Sequence, residues 1–212
     1  MRSDHRIVCE TERLILRIAT LEDADLFHAL WTSPQVMTNV GFPQGLRIER
    51  SEIENRLSKQ RDETLEQLLV VEVRATDQPI GEAYLSRPSD AGVAEPDVKL
   101  LPRFWGHRYG TEAWRALVAY QFEHTDCEVV QGTPNVHNSA SIRMQESAGA
   151  VRVGEGVHQF GESMRDFTTP VHHYIYQVHR SDWERGRRAQ SVSTSKQDTE
   201  SLPPEAGRRS NP

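Results

Sequence analysis

The order of strand-like and helix-like patterns predicts a mixed α/β layer followed by a polar tail. Three observations carry this. Alternating and helical periodicities interleave along the chain as β-α-α-β-β-β-α-β-α-β-β. Residues 97–121 read as a strand, a two-glycine loop and a long helix leading into another strand, the one place where a parallel crossover is natural. From Ala189 onward only Val192 and Leu202 are large aliphatics, too little apolar surface to offset ordering entropy, so 189–212 is expected to be a disordered tail.

Taken in order, "RLILRIAT" (13–20) alternates apolar and polar residues and reads as the first strand. "LEDADLFHALWTS" follows with Leu21, Ala24, Leu26, Phe27, Leu30 and Trp31 at helical spacing. "SPQVMTNVGFPQG" is punctuated by proline and glycine and reads as a loop, and "RIERSEIENRLSKQRDET" as a charged amphipathic helix. "EQLLVVEVRA" and "PIGEAYLSR" are strands separated by the turn signal "TDQP", and "AEPDVKLL" is a fourth strand that Pro102 ends. "TEAWRALVAYQFEH" is a helix with Ala113, Ala116, Leu117, Tyr120 and Gln121 on a shared face. "CEVVQGTPNV" is the next strand, and "NSASIRMQESAGA" a helix capped by Asn138 with Gly149 just past its end. "AVRVGEGVHQF" and "PVHHYIYQVH" complete the layer as antiparallel partners.

Composition bounds the class. The chain has 212 residues, 36% hydrophobic and 26% charged, enough for one domain of ordinary size. No apolar run approaches membrane-spanning length and the first residues carry no apolar leader core, so no membrane partner is expected. The net charge of −6 offers no basic field for nucleic acid. Two distant cysteines, Cys9 and Cys127, suggest neither a metal knuckle nor a disulfide framework. A reducing cytoplasm is the expected setting, and no metal is expected.

"FWGHRYGTEAW" (104–114) is the stretch richest in chemistry. A loop entering a helix N-terminus presents unpaired N–H groups and the positive end of the helix dipole, and both favour an anion. Gly106 and Gly110 let the backbone approach phosphate oxygens. Strand-to-helix turns also carry glycine for steric reasons alone. The stretch is neither a P-loop nor a Rossmann fingerprint.

With "TERLILR" before it and "NVHNSASIRMQESAGA" after it, "LPRFWGHRYGTEA" resembles the GNAT superfamily of N-acetyltransferases, and within it the branch of ribosomal-protein N-terminal acetyltransferases. The likeness covers residues 8–183. It implies a mixed, splayed central α/β sheet flanked by helices, with acetyl-CoA as co-substrate. The family's loop has the form [QR]-x-x-G-x-[GA]; Trp105 takes its first position, Arg108 its fourth and Gly110 its sixth. The resemblance assigns the pyrophosphate to the amides of Gly106, His107, Arg108, Tyr109, Gly110 and Thr111. It assigns pantetheine to the backbone of Val98, Lys99 and Leu100, as an added strand, and the N-x-x-S of Asn138 and Ser141 to the cofactor side.

Two positions depart from the pattern. Arg108 stands where the loop has glycine, either assisting the phosphates as an extra cation or weakening the site. Gln145 stands where many members have a tyrosine that protonates the departing thiolate, which leaves that task to Ser141, to water, or to none. Acetyl transfer needs a neutral amine, a polarised thioester carbonyl and a protonated sulfur. A backbone N–H near Leu100 can polarise the carbonyl, and Glu82, Glu95 and Asp97 are the candidate bases. Strand alternation puts Glu95, Asp97 and Lys99 on one face; the plainer reading of each carboxylate is a solvated strand-edge charge. His172 and His173 point to opposite faces and cannot chelate, while Tyr174 and Tyr176 share a face as core or wall of the acceptor cleft.

The resulting expectation is an acetyl-CoA-dependent N-acetyltransferase acting on a primary amine, which approaches between "SPQVMTNVGFPQG" and the last two strands. The alternatives are a non-catalytic CoA-binding or interaction module of the same fold and, on the loop alone, a nucleotide-binding α/β protein. The acceptor, a protein N-terminus or a small-molecule amine, stays open. So does the oligomeric state, a homodimer being one option.

Overall fold

A computed structural model describes residues 6–61 and 63–189. Among these, the chain forms two compact units that divide after Arg180. In the first, strands β1 (Ile7–Glu10) and β2 (Leu14–Ile18) lead into α1 (Ala24–Trp31), α2 (Pro34–Met37) and α3 (Arg50–Leu57). Strands β3 (Leu68–Val73), β4 (Gln78–Tyr84), β5 (Val93–Ala94) and β6 (Asp97–Leu100) follow. Then come α4 (Tyr109–His124), β7 (Val129–Gly132), α5 (Ser139–Ser147), β8 (Val151–His158) and β9 (Val171–His179). In the second unit, residues 181–189 are helical. Of the tail expected over 189–212, residues 190–212 lie outside the described residues, and Ala189, the last described residue, is helical.

Five strands form an antiparallel sheet in the order β1-β2-β3-β4-β6, and four form a second sheet in the order β5-β7-β9-β8. The first sheet is buried on both faces. Val70 of β3 packs with Phe27, Leu30 and Trp31 of α1 and with Ile53 and Leu57 of α3. Its neighbours Leu69 and Val71 point the other way, into a cluster with Leu14, Leu16, Ile80, Ala83 and the α4 residues Ala113 and Leu117. The period-two alternation of β3 thus serves two cores at once. Each fully buried Leu or Phe contributes about 1.5–3 kcal/mol. On the α1 face, Arg17 is 3% exposed. It gives two bonds to Asp23, at 2.7 and 2.8 Å, and one to Glu72 at 2.7 Å.

Three expectations are corrected. "IVCE" is a strand, β1, pairing Glu10 with Ile15 ahead of the strand read as first. The segment read as a loop contains α2, with Pro34 at its first position, and a 3-10 turn over Thr38–Val40 that ends at Gly41. "AEPDVKLL" is not one strand. Its first residue, Ala94, ends β5, which pairs in parallel with β7, Val93 with Val129 and Ala94 with Val130. Its second half, β6, pairs antiparallel with β4 in the other sheet. Pro96 has no N–H to give a ladder, and the chain changes sheets at Glu95–Pro96. The parallel crossover through α4 therefore starts from β5 rather than from β6. Beyond that point β6 and β7 diverge, and the layer is splayed.

Candidate active site

The divergence opens a cleft of about 930 Å³ between β6, the loop before α4, the inner faces of α4 and α5, and the turn after β7. Leu101 N–H reaches the carbonyl of Ile80 at 2.9 Å, which fixes the alternation along β6. Lys99 therefore directs its backbone groups at β4, while Val98 and Leu100 direct theirs into the cleft. Two of these outward groups are already engaged. The Trp105 indole Nε1 donates to the Leu100 carbonyl at 2.8 Å, and the Val98 N–H donates to the Asp97 side chain at 2.8 Å. The Leu100 N–H and the Val98 carbonyl are the groups left facing the gap.

The loop after β6 makes a 3-10 turn at Pro102–Phe104 and enters α4 through two left-handed residues, Gly106 (φ 81°) and Arg108 (φ 63°). Arg108 is the N-cap and has no side-chain cap bond. Glu112 is the first residue of the helix whose N–H finds an intrahelical acceptor, the Arg108 carbonyl at 3.1 Å. The N–H groups of Tyr109, Gly110 and Thr111 lie ahead of it and have none. A Cβ on Gly110 would meet only Met144 and Leu100, at 3.5 and 3.8 Å, so no neighbour demands glycine there. Arg108 and Arg143 border the cleft with no charged partner among the described residues, and Arg115 borders it while bonding the Ser147 carbonyl.

The carboxylates Glu95 and Asp97 line the cleft at the start of β6, and Glu82 is buried behind it on β4. Glu82 on β4 is 5% exposed, not the solvated strand charge that its pattern allows. Its Oε2 accepts from Trp31 Nε1 at 2.6 Å and its Oε1 from Lys99 Nζ at 2.9 Å. Lys99 also contacts Asp97, whose side chain is 52% exposed. Partial burial works against the Asp97 charge, but the Lys99 ammonium outweighs it and holds the carboxyl below the usual range. Burial likewise works against the Lys99 charge, and the two carboxylates override it and push the amine upward. Glu95 does not share this face. It sits at the change of sheet, where Gln131 Nε2 of β7 donates to it at 2.6 Å, because Pro96 breaks the alternation that the sequence pattern assumed.

On α5, Asn138 Oδ1 accepts from the Ser141 N–H at 3.1 Å, and both residues line the cleft. Gln145 is 3% exposed, and its Oε1 has no partner. Trp114 Nε1 of α4 is likewise buried and unpartnered, and both residues border the cleft. The expected acceptor wall is altered. Val36, Asn39 and Val40 line the cleft as the reading of 33–45 implied, but Thr133, Pro134 and Asn135 stand where the last two strands were expected. Tyr176 instead bonds Glu146 at 3.0 Å, and Tyr174 lies under Arg152. His107 is exposed and stacks on Tyr109. Sequence reading missed Trp31, Trp114 and Arg143. A tryptophan at buried helical spacing signals core, and only the fold turns one toward a polar partner.

The sequence model of the acetyltransferase (GNAT) domain matches residues 13–151, about two thirds of the chain. The chain belongs to the GNAT acetyltransferase family. A curated relative, the uncharacterised N-acetyltransferase p20 of Bacillus licheniformis, is 27% identical over 141 residues, 65% of this chain and 78% of that protein. Among solved structures, the spermidine N-acetyltransferase of Vibrio cholerae with CoA and spermine superposes with a TM-score of 0.67 at 19% identity, over 82% of this chain and 99% of that one. An aminoglycoside acetyltransferase, AAC(6')-Ib with coenzyme A, gives 0.64 at 21% identity over 82% and 99%. These likenesses are of fold. This N-acetyltransferase thus has the splayed GNAT sheet, and its cleft lies where β6 and β7 part. No helix among the described residues is long and apolar enough to cross a membrane, and no metal-ligating cluster occurs among them.

Proposed function

We propose that the chain transfers acetyl from acetyl-CoA to a primary amine, on a small molecule or a protein N-terminus, by direct attack on the thioester. The observation that carries this is the polarity of the cleft. Arg108, Arg115, Arg143 and the amides at the start of α4 border it beside the loop, while Asp97, Glu95 and Lys99, which pairs with the buried Glu82 behind it, border it at the start of β6. A ligand that is polyanionic at one end and meets a cation at the other matches that division.

The residues fit the co-substrate. Gly106, beside which a Cβ would meet nothing within 4 Å, leaves open space ahead of the helix N-terminus, where phosphate oxygens would meet the amides. The outward Val98 carbonyl suits an amide N–H of an arm laid along β6. The buried Trp114 Nε1 and Gln145 Oε1 supply one donor and one acceptor that the protein itself does not satisfy. No metal takes part in this reading, and a cytoplasmic setting belongs to it.

Asp97 and Glu95 draw the ammonium group in. Of the two protons it sheds, one leaves before attack through a water beside Asp97 or Glu95, the carboxylates that line the cleft; Glu82, which accepts from Trp31 and Lys99, holds Lys99 in place behind them. The nitrogen lone pair then bonds to the acetyl carbon, and the C–S bond breaks with its electrons going to sulfur. The second proton ends on that sulfur, delivered by the Ser141 hydroxyl or by water, because the Gln145 amide is no acid. The Leu100 N–H, ending the open edge of β6, polarises the carbonyl.

The test is release of CoA thiol from acetyl-CoA with a panel of polyamines, aminoglycosides and N-terminal peptides, beside calorimetric binding of CoA. Turnover on at least one amine is expected. The glutamine at position 145 favours one competing reading, a CoA-binding module without catalysis. Tight CoA binding with no turnover on any acceptor would establish that reading.

A further inference from the structure

Outside the cleft, on the reverse side of the loop, four residues form a closed hydrogen-bonded strut. Glu112, in the first turn of α4, accepts on Oε1 from Thr11 Oγ1 at 2.5 Å and from the Arg13 N–H at 2.9 Å. Its Oε2 takes Arg13 Nε at 2.7 Å and Nη2 at 2.6 Å. The remaining arm, Nη1, donates to the His107 carbonyl at 3.2 Å, while the guanidinium lies 4.8 Å from the centre of the Tyr109 ring.

We propose that Arg13 is a positioning residue for the pyrophosphate site, aiming the loop amides and cancelling the one carboxylate in the first turn of α4. The inference rests on the loop's reading as a phosphate cradle. A trans peptide is planar, with its C=O and N–H pointing in opposite directions. Drawing the His107 carbonyl toward Arg13 on the strand side therefore aims the Arg108 N–H at the opposite side, where the cleft lies. The same bond holds Arg108 in its left-handed conformation (φ 63°), one that a non-glycine residue leaves unless its surroundings over-determine it. Glu112 alone would repel a diphosphate from the helix N-terminus. Turned away and bonded to Arg13, it presents no net charge to the loop. Partial burial works against its ionised form, yet the bonds from Thr11 and Arg13 hold its carboxyl below the usual range, consistent with a carboxylate fully engaged on that side.

The experiment measures CoA binding by calorimetry and binding of acetyl-pantetheine, which lacks every phosphate, by ligand-observed NMR. Unfolding of the unliganded chain is followed alongside. In Arg13→Ala the Kd for CoA should rise about ten- to hundredfold, the worth of one directed bond to a charged group. The Kd for acetyl-pantetheine should stay within about twofold, since the bond at issue goes to a phosphate. Arg13→Lys, which keeps the charge but not the fork, should restore only part of the loss. Adding Glu112→Ala to Arg13→Ala should recover part of the CoA affinity by removing the exposed carboxylate. Equal losses for both ligands would overturn the proposal in favour of a structural role. An unchanged Kd for CoA in Arg13→Ala, with the unmodified chain binding CoA, would overturn this inference alone. Failure of the unmodified chain to bind CoA would overturn the cradle reading as well.

Discussion

The side-chain amide of Gln145 lies against the backbone of Gly132, so that a methyl group on the glycine would sit 2.3 Å from Nε2 and 2.4 Å from Oε1. The collision is with the end of a flexible side chain, not with backbone. Gly132→Ala should therefore fold, with the amide displaced toward the cleft. The expected result is weaker CoA binding with a modest loss of stability, about 1–3 kcal/mol for overpacking. In a Gln145→Ala background the same substitution should be close to neutral, and a double-mutant cycle with calorimetric Kd values tests the coupling.

Lys99 neutralises both Glu82 and Asp97, so Lys99→Met leaves a buried carboxylate with Trp31 as its one remaining donor among the described residues. Breaking a buried pair in this way costs about 3 kcal/mol, measurable by denaturant unfolding. The ammonium is also what holds Asp97 below the usual range. Its loss should move the acid-side limb of the kcat/KM profile to higher pH, with the alkaline limb left to the acceptor amine. In the unmodified chain the Asp97 contribution to stability is present above the ordinary carboxylate range and lost as pH falls through its depressed folded value. The Lys99 contribution is present below the ordinary lysine range and lost only as pH rises through its elevated one. The pair is thus intact across neutral pH.

Arg108→Gly should leave the fold intact. A left-handed conformation costs an L-residue about 1–2 kcal/mol, and the extra chain entropy of glycine offsets about half of that. The melting temperature should stay level or rise slightly. CoA affinity should change by no more than about tenfold, or 1.4 kcal/mol, because the amides rather than the side chain do most of the holding. Complete loss of binding would show that the guanidinium is the main phosphate ligand.

Arg17→Met tests the part of the fold remote from the cleft. It leaves Asp23 and Glu72 without the guanidinium that pairs with both, and should cost about 3–5 kcal/mol in chemical denaturation. The Asp23 carboxyl, disfavoured by burial but more than compensated by Arg17, titrates below the usual range. Native stability should accordingly fall with acid only once pH drops into and below the ordinary carboxylate range, and this fall should be shallower in the variant.

The elements with strong local signals were legible. The loop glycines, the long apolar stripe of α4 and the Asn138 cap each depend on neighbours a few residues away. β1 was missed because "IVCE" is only four residues long with no alternating continuation. The division of "AEPDVKLL" between sheets was missed for a different reason: a proline between two extended runs looks the same whether the second run rejoins its sheet or leaves it. The burial of Glu82 depends on Trp31, fifty-one positions earlier, and the Arg13–Glu112 strut spans ninety-nine positions. Pairings at such range leave no periodic trace in a single sequence.

An unpaired strand edge usually invites another polypeptide, and β6 has such an edge at the heart of the molecule. Here the opposing strand β7 diverges, and the indole of Trp105 and the carboxylate of Asp97 already occupy two of the outward groups. What is left is a short, recessed length of backbone that an aggregating strand, with side chains alternating to both faces, has no room to join. The splay that admits a slender chain thereby also protects the protein from its own kind: the gap acts as a gauge on what may complete the sheet.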